Sequence, residues 1–217
     1  MTKLTTPETA SAAARRTPRV AAKSPISAPF IAHQIGGHLA LDFCNTAGEH
    51  LAETPDEFLF DWKSFLRWAT HVGLIGHQSY LELLRSPEPV DAILELREAI
   101  YRVGLAVAGA RRLSKHNLEF IRERADTRPP RFEVRDNSVR WRPDPSHASQ
   151  QLCGVLAAEA LSLFCSPKAA RIGVCEGGNC GWLFLDESRG KRRRWCDMND
   201  CGSRAKARRY YQKHKGD

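Results

Sequence analysis

The chain has 217 residues, 42% of them hydrophobic, and a formal charge of +8, enough for one core of roughly 130–140 residues plus a small unit too short to bury a core of its own. No stretch approaches the ~20 apolar residues of a membrane span, so a membrane protein is excluded and the expected setting is soluble and cytoplasmic. Seven cysteines, an odd number with no secretory leader before them, fit a reducing compartment better than a disulfide framework.

Residues 1–29 are rich in Ala, Thr, Ser and Pro, carry five basic residues and one acidic, and contain no apolar run. They read as a disordered tail, although organellar transit peptides have a similar composition. From residue 30 to 170 the pattern is mostly helical. Leu39–Phe43 is strand-like. Phe58–Val72 then aligns Trp62, Phe65, Leu66, Ala69 and Val72 on one stripe before Gly73, and Val90–Val107 does the same with Ile93, Leu96, Ile100, Val103 and Val107. Phe132–Trp141 reads as a hairpin with Asp136–Asn137 at its turn, and Ser146–Cys165 as a third helix. The expected fold class is therefore a mainly α domain with a small β element (α+β).

His38, Asp42, Cys44 and Asn45 stand close together in this domain. A cysteine nucleophile with such neighbours is conceivable chemistry, but the chain has no Gly-x-Ser-x-Gly, phosphate-binding loop, His-Glu-x-x-His or dinucleotide fingerprint. The expectation is no enzyme. His38, Asp42 and Asn45 are instead candidates for lining a small-molecule ligand pocket, against the plainer alternatives of turn and cap residues or of a domain that only forms a homodimer.

The C-terminal part, from residue 171 to 217, carries the sharpest signal. Cys175 and Cys180, then Cys196 and Cys201, form two C-x4-C pairs separated by 15 residues, a spacing that can fold four thiolates onto one tetrahedral Zn²⁺. Two disulfides or four free thiols are the alternative. Between Arg189 and Lys215 eleven basic residues face two acidic ones, a net of +9 against +8 for the whole chain, so the remainder sums to −1 and all the excess charge sits here. Such a field suits polyphosphate.

Gly181–Asp186 is strand-like, Asp186–Gly190 a turn, and Lys191–Trp195 the expected return strand that delivers Cys196. Ser203 is a candidate N-cap for a helix to about His214, with Ala207, Tyr210, Tyr211 and His214 as a stripe packed on the metal core. Trp195 is expected to be buried beside the metal. Arg192, Arg193, Arg194, Arg204, Lys206, Arg208 and Arg209 are the candidate nucleic-acid contacts, strand alternation turning Arg193 away from its neighbours.

With these residues in view, Arg171–Lys206, reading C-x4-C-G-W-L-F-L-D-x-S, R-R-R-W-C-D-M and C-G-S-R-x-K, resembles the CGNR zinc finger of bacterial proteins. Gly36–Thr46 (GGHLALDFCNT) resembles the opening of the ABATE domain that precedes this finger in that family. Ser203 stands where the family's name places Asn, and a serine can also cap a helix. The resemblance implies an ABATE-like domain over 30–170, a finger over 171–217 with one structural zinc, and a DNA-binding transcription regulator. RNA binding, including association with ribosomes, is the runner-up, and a protein-interaction module with a basic face is the third reading.

Overall fold

The structure is a computed structural model that describes residues 34–135 and 137–214. The tail expected over 1–29 lies outside them, as does Asp136 of the expected turn.

The first apolar run is a helix, not a strand. α1 (Leu39–Cys44) is capped by His38, whose Nδ1 accepts the Ala40 N–H at 3.2 Å, and buries Ala40, Leu41, Phe43 and Cys44. A run of six residues matches both periods, and burial between two longer helices decides in favour of the helix. β1 (Ala47–Gly48) and β2 (Asp56–Glu57) form a short antiparallel pair. α2 (Trp62–His71) opens on a reciprocal cap: Asp61 accepts from the Ser64 N–H at 2.7 Å and the Ser64 hydroxyl accepts from the Asp61 N–H at 3.0 Å. α3 (His77–Leu83) follows.

α4 (Asp91–Val107) and α6 (Ala148–Phe164) are the long core helices, each of 17 residues, and α1 and α5 (Lys115–Ala125) pack on both of them. Between α5 and α6, β3 (Arg131–Arg135) and β4 (Ser138–Arg142) make the expected hairpin, with Asn137 at φ 58° and Phe132 opposite Trp141. The domain is thus mostly helical with small hairpins, as its apolar periodicity implies.

After a 3-10 turn at Pro167–Arg171, β5 (Ile172–Val174) pairs antiparallel with β6 (Leu183–Leu185). This differs from the expected hairpin. The partner of β6 is the strand before the first cysteine pair, and Lys191–Trp195 is not a strand. Ile172 and Val174 are β-branched and fit a sheet, whereas Lys191 turns back at φ 49° and the loop closes on Asp186, whose carboxylate accepts the Ser188 and Arg193 N–H groups, each at 2.9 Å. A π-helical turn, Met198–Gly202, leads into α7 (Ser203–Lys213).

β5 and β6 belong to the main core. Ile172, Leu183 and Leu185 lie in the same buried cluster as Phe43, Leu96 and Leu156, each burial contributing about 1.5–3 kcal/mol. Gly104 of α4 makes room for this, since a Cβ there would stand 2.5 Å from Leu183 Cδ1. No helix among the described residues is long and apolar enough to cross a membrane.

Candidate metal centre and nucleic-acid interface

Four segments bring the cysteines together. Cys175 follows β5, with its N–H donated to Trp182 O at 2.8 Å, Cys180 precedes β6, Cys196 ends the basic loop, and Cys201 sits in the turn before α7. All four are buried, and their sulfurs lie within 4.8 Å of one another. Cys180 to Cys196 and Cys196 to Cys201 each span 3.7 Å between sulfurs, close to the edge of about 3.8 Å that a tetrahedron with 2.3 Å Zn–S bonds requires and far beyond a disulfide bond. Without a cation such crowded thiols hold one another's protons: hydrogen bonds from Cys180 and Cys196 favour the Cys175 thiolate, and the bonds of Cys196 to Cys175 and Cys180 push its own thiol up.

The surroundings suit thiolates. Amide N–H groups of Gly177 and Cys196 point at the Cys175 sulfur and that of Trp182 at Cys180, while Arg204 Nη2 stands 3.2 Å from Cys201 Sγ. Gly177 is needed for close approach, since a Cβ there would meet Cys201 Sγ at 2.6 Å. The four cysteines therefore fit one zinc ion in a closed structural site, with no position left for a water or substrate.

The buried aromatic beside the cysteines is Phe184, fully inaccessible, with Trp195 and Trp182 only partly buried against the cluster. This corrects the expectation that Trp195 is the buried residue. The expected stripe on α7 is also corrected: Tyr210 and Tyr211 are 61% and 71% exposed, Ala207 and His214 are exposed, and only Ala205 is buried. Ser203 does not cap from outside the helix; it is the first residue of α7, and its hydroxyl donates to Met198 O at 3.2 Å.

The basic residues divide by what they touch. Arg193 turns inward over the Phe184 ring and donates to the carbonyls of Ile35, Leu185, Trp195 and Cys196. That places it as a bracket of the finger rather than a nucleic-acid contact. Arg194 pairs with Glu176 and Arg204 with Asp200. Arg192, Lys206, Arg208 and Arg209 are exposed, and among the described residues no hydrogen bond or ion pair engages their side chains. Glu176, Arg194, Trp195, Arg208 and Arg209 line a groove of about 190 Å³ between the first cysteine loop and α7.

None of His38, Asp42 and Asn45 lines the recess beside the β3–β4 hairpin, the groove at α7 or the recess between residues 47–57 and α4. Asp42 accepts the Gly36 N–H at 2.8 Å, and burial pushes its carboxyl up to about 6. Asn45 clasps β6, donating to Leu183 O and accepting from Leu183 N, both at 2.9 Å. Cys44 is fully buried, and burial raises its thiol far from thiolate formation. A network of the buried His50, Arg97 and Tyr101 with Glu57 and Glu98 escaped the sequence reading, although Arg97 sits one turn after Ile93 on the apolar stripe of α4, where a charge is out of place.

Two family profiles match in order along the chain. The ABATE profile, described as "Putative stress-induced transcription regulator", matches residues 37–167. The chain belongs to the ABATE family. The CGNR zinc finger profile matches residues 171–214, so the four clustered cysteines are those of the CGNR finger attached to the ABATE domain. No curated protein matches the chain.

Proposed function

We propose that this ABATE protein is a cytoplasmic transcription regulator whose CGNR finger binds duplex DNA, and whose helical domain supplies the input by binding a small ligand or a second copy. The observation that carries this reading is the set of uncommitted cations on the finger, Arg192, Lys206, Arg208 and Arg209, held on loops and a helix that four cysteines fix in place. Neutralising these charges costs the protein no internal ion pair, so they are free for phosphates. Arg208 lies one turn into α7, beside the groove at the first cysteine loop, and is the residue best set to reach base edges; Arg192, Lys206 and Arg209 position the backbone. The family's description as a transcription regulator supports the same reading.

Four to six phosphate contacts give a log–log salt slope of about −4 to −5 and micromolar or weaker non-specific affinity, so one finger acting alone favours pairing on two half-sites. The test is fluorescence anisotropy of duplex DNA across a salt series. Arg209→Ala flattens the slope by about one unit for every sequence, whereas Arg208→Ala costs about 1–3 kcal/mol on the preferred site only. A wild-type chain that binds no duplex at low salt refutes the reading and leaves the basic face to a protein or RNA partner.

A further inference from the structure

Where the helical domain meets the first cysteine loop, a recess of about 450 Å³ opens between the 47–57 loop and α4, within the roughly 300–1,000 Å³ typical of small-molecule sites. Its charged wall is closed on itself. Arg97, only 4% exposed, donates to both Glu57 oxygens at 2.7 Å and from Nε to Glu98 at 3.2 Å. Glu98 also holds His50 Nε2 at 3.1 Å, and the His50 ring lies flat on Tyr101, with centroids 3.6 Å apart. Burial opposes the Glu98 charge, but His50 and Arg97 outweigh it and keep the carboxyl below its ordinary range. Both acids are therefore already partnered, and the buried His50 Nδ1 is left without one.

What the recess still offers is apolar surface and positive charge. Ala47, Leu51, Pro55 and Leu105 contribute the first. Arg102 and Arg111 contribute the second: both are exposed, and neither has an ion pair or hydrogen bond among the described residues. The complement of such a site is a molecule with an apolar body and a carboxylate.

The same lining grips the finger. The His50 N–H donates to Cys180 O and the Leu51 N–H to Asn179 O, each at 2.9 Å, and the Tyr101 hydroxyl donates to Gly181 O at 3.0 Å. Three donors from the recess thus hold three successive carbonyls, one of them on a metal-binding cysteine. We propose that this recess binds a small organic carboxylate and that its occupancy is transmitted to the finger through Asn179–Gly181. The inference gives the regulatory reading its input and rests on it for the biological consequence alone.

The experiment titrates benzoate into the full zinc-loaded chain, without DNA, and follows backbone amides by two-dimensional NMR, with benzyl alcohol as the neutral match. Saturable shifts are expected at Leu51, Tyr101, Arg102 and Leu105 and also at Asn179–Gly181. The paired substitution Arg102→Ala and Arg111→Ala weakens binding about tenfold or more, as loss of charge-assisted bonds does, while Arg112→Ala leaves it unchanged. Equal binding of benzyl alcohol, an unaffected double variant, or the absence of saturable shifts at the recess overturns the carboxylate site. Shifts at the recess with silent Asn179–Gly181 amides overturn the transmission. Because DNA is absent, a chain that binds benzoate but no duplex refutes the regulatory reading and leaves the recess standing.

Discussion

Asn45 is the residue on which the junction between domain and finger turns. Its amide meets both backbone groups of Leu183, and the Leu185 N–H is taken by Gly36 O at 2.8 Å, so the edge of β6 away from β5 is closed by side chain and loop. Asn45→Ala leaves a buried donor and a buried acceptor unmet, and costs about 2–4 kcal/mol. Urea unfolding measures the loss, with zinc content unchanged because no ligand is touched; a cost below about 0.5 kcal/mol, the size of an ordinary surface change, sinks the assignment. Asp42 gives a second handle. Burial raises its folded-state value to about 6 from an ordinary 3.8, the Gly36 N–H opposing the rise, so the folded chain binds the proton more tightly than the unfolded one. Its contribution is present below pH 4 and lost as pH rises through 6. The stability difference between wild type and Asp42→Asn should therefore grow by on the order of 2–3 kcal/mol from pH 4 to pH 7 in favour of the variant. A flat difference shows that Asp42 titrates normally. Comparing the two proteins cancels the zinc ligands' own pH dependence.

At the scale of elements, the close approach of β6 to α4 depends on Gly104. Gly104→Ala places a methyl against Leu183 Cδ1 and costs about 1–3 kcal/mol through overpacking, while Leu183→Ala alone costs about 2–5 kcal/mol. The double variant should cost clearly less than the sum, since each change relieves the other; additive costs in thermal unfolding refute the contact. The sequence foretold α2, α4 and α6 to within a few residues because their apolar stripes run for three to five turns, long enough for only one period to fit. It misread α1, where six residues satisfy both periods and packing on α4 and α6 decides. It also missed α3 and α5, whose buried residues are too few to form a stripe. In the finger the cysteine spacing identified the four residues that converge, since ligand chemistry is local in sequence. The strand pairing was not legible: β5 lies outside the cysteine pattern, and a run of four basic residues carries no signal of which one turns inward. Arg193 is chosen by the carbonyls that surround it, a property of the fold.

For the whole molecule, the shared core makes the finger a graft with unequal halves. β5 and β6 are fastened to the helical domain by Leu183 and Leu185, by the Asn45 clasp and by the Trp182 Nε1–H donated to Ala47 O at 2.6 Å. The half beyond Asp186 has little of this. Its ties include Arg193 to the carbonyls of Ile35 and Leu185, Lys191 Nζ to Ala170 O, the Glu176 N–H to Arg194 O, the Glu176–Arg194 pair and the cysteines themselves, and α7 buries only Ala205. Zinc therefore stabilises the two halves unequally. Chelation, or Cys196→Ser, should leave the Leu183–Leu185 amides protected from hydrogen exchange while amides from Trp195 to Lys213 lose protection, and far-UV circular dichroism should fall by roughly the 11 residues of α7 rather than by the whole helical content. Duplex binding should be lost together with that half, because Arg192, Lys206, Arg208 and Arg209 all lie on it. If β6 loses protection in step with α7, zinc holds the junction as well as the tip, and the finger must be treated as one cooperative unit with the helical domain.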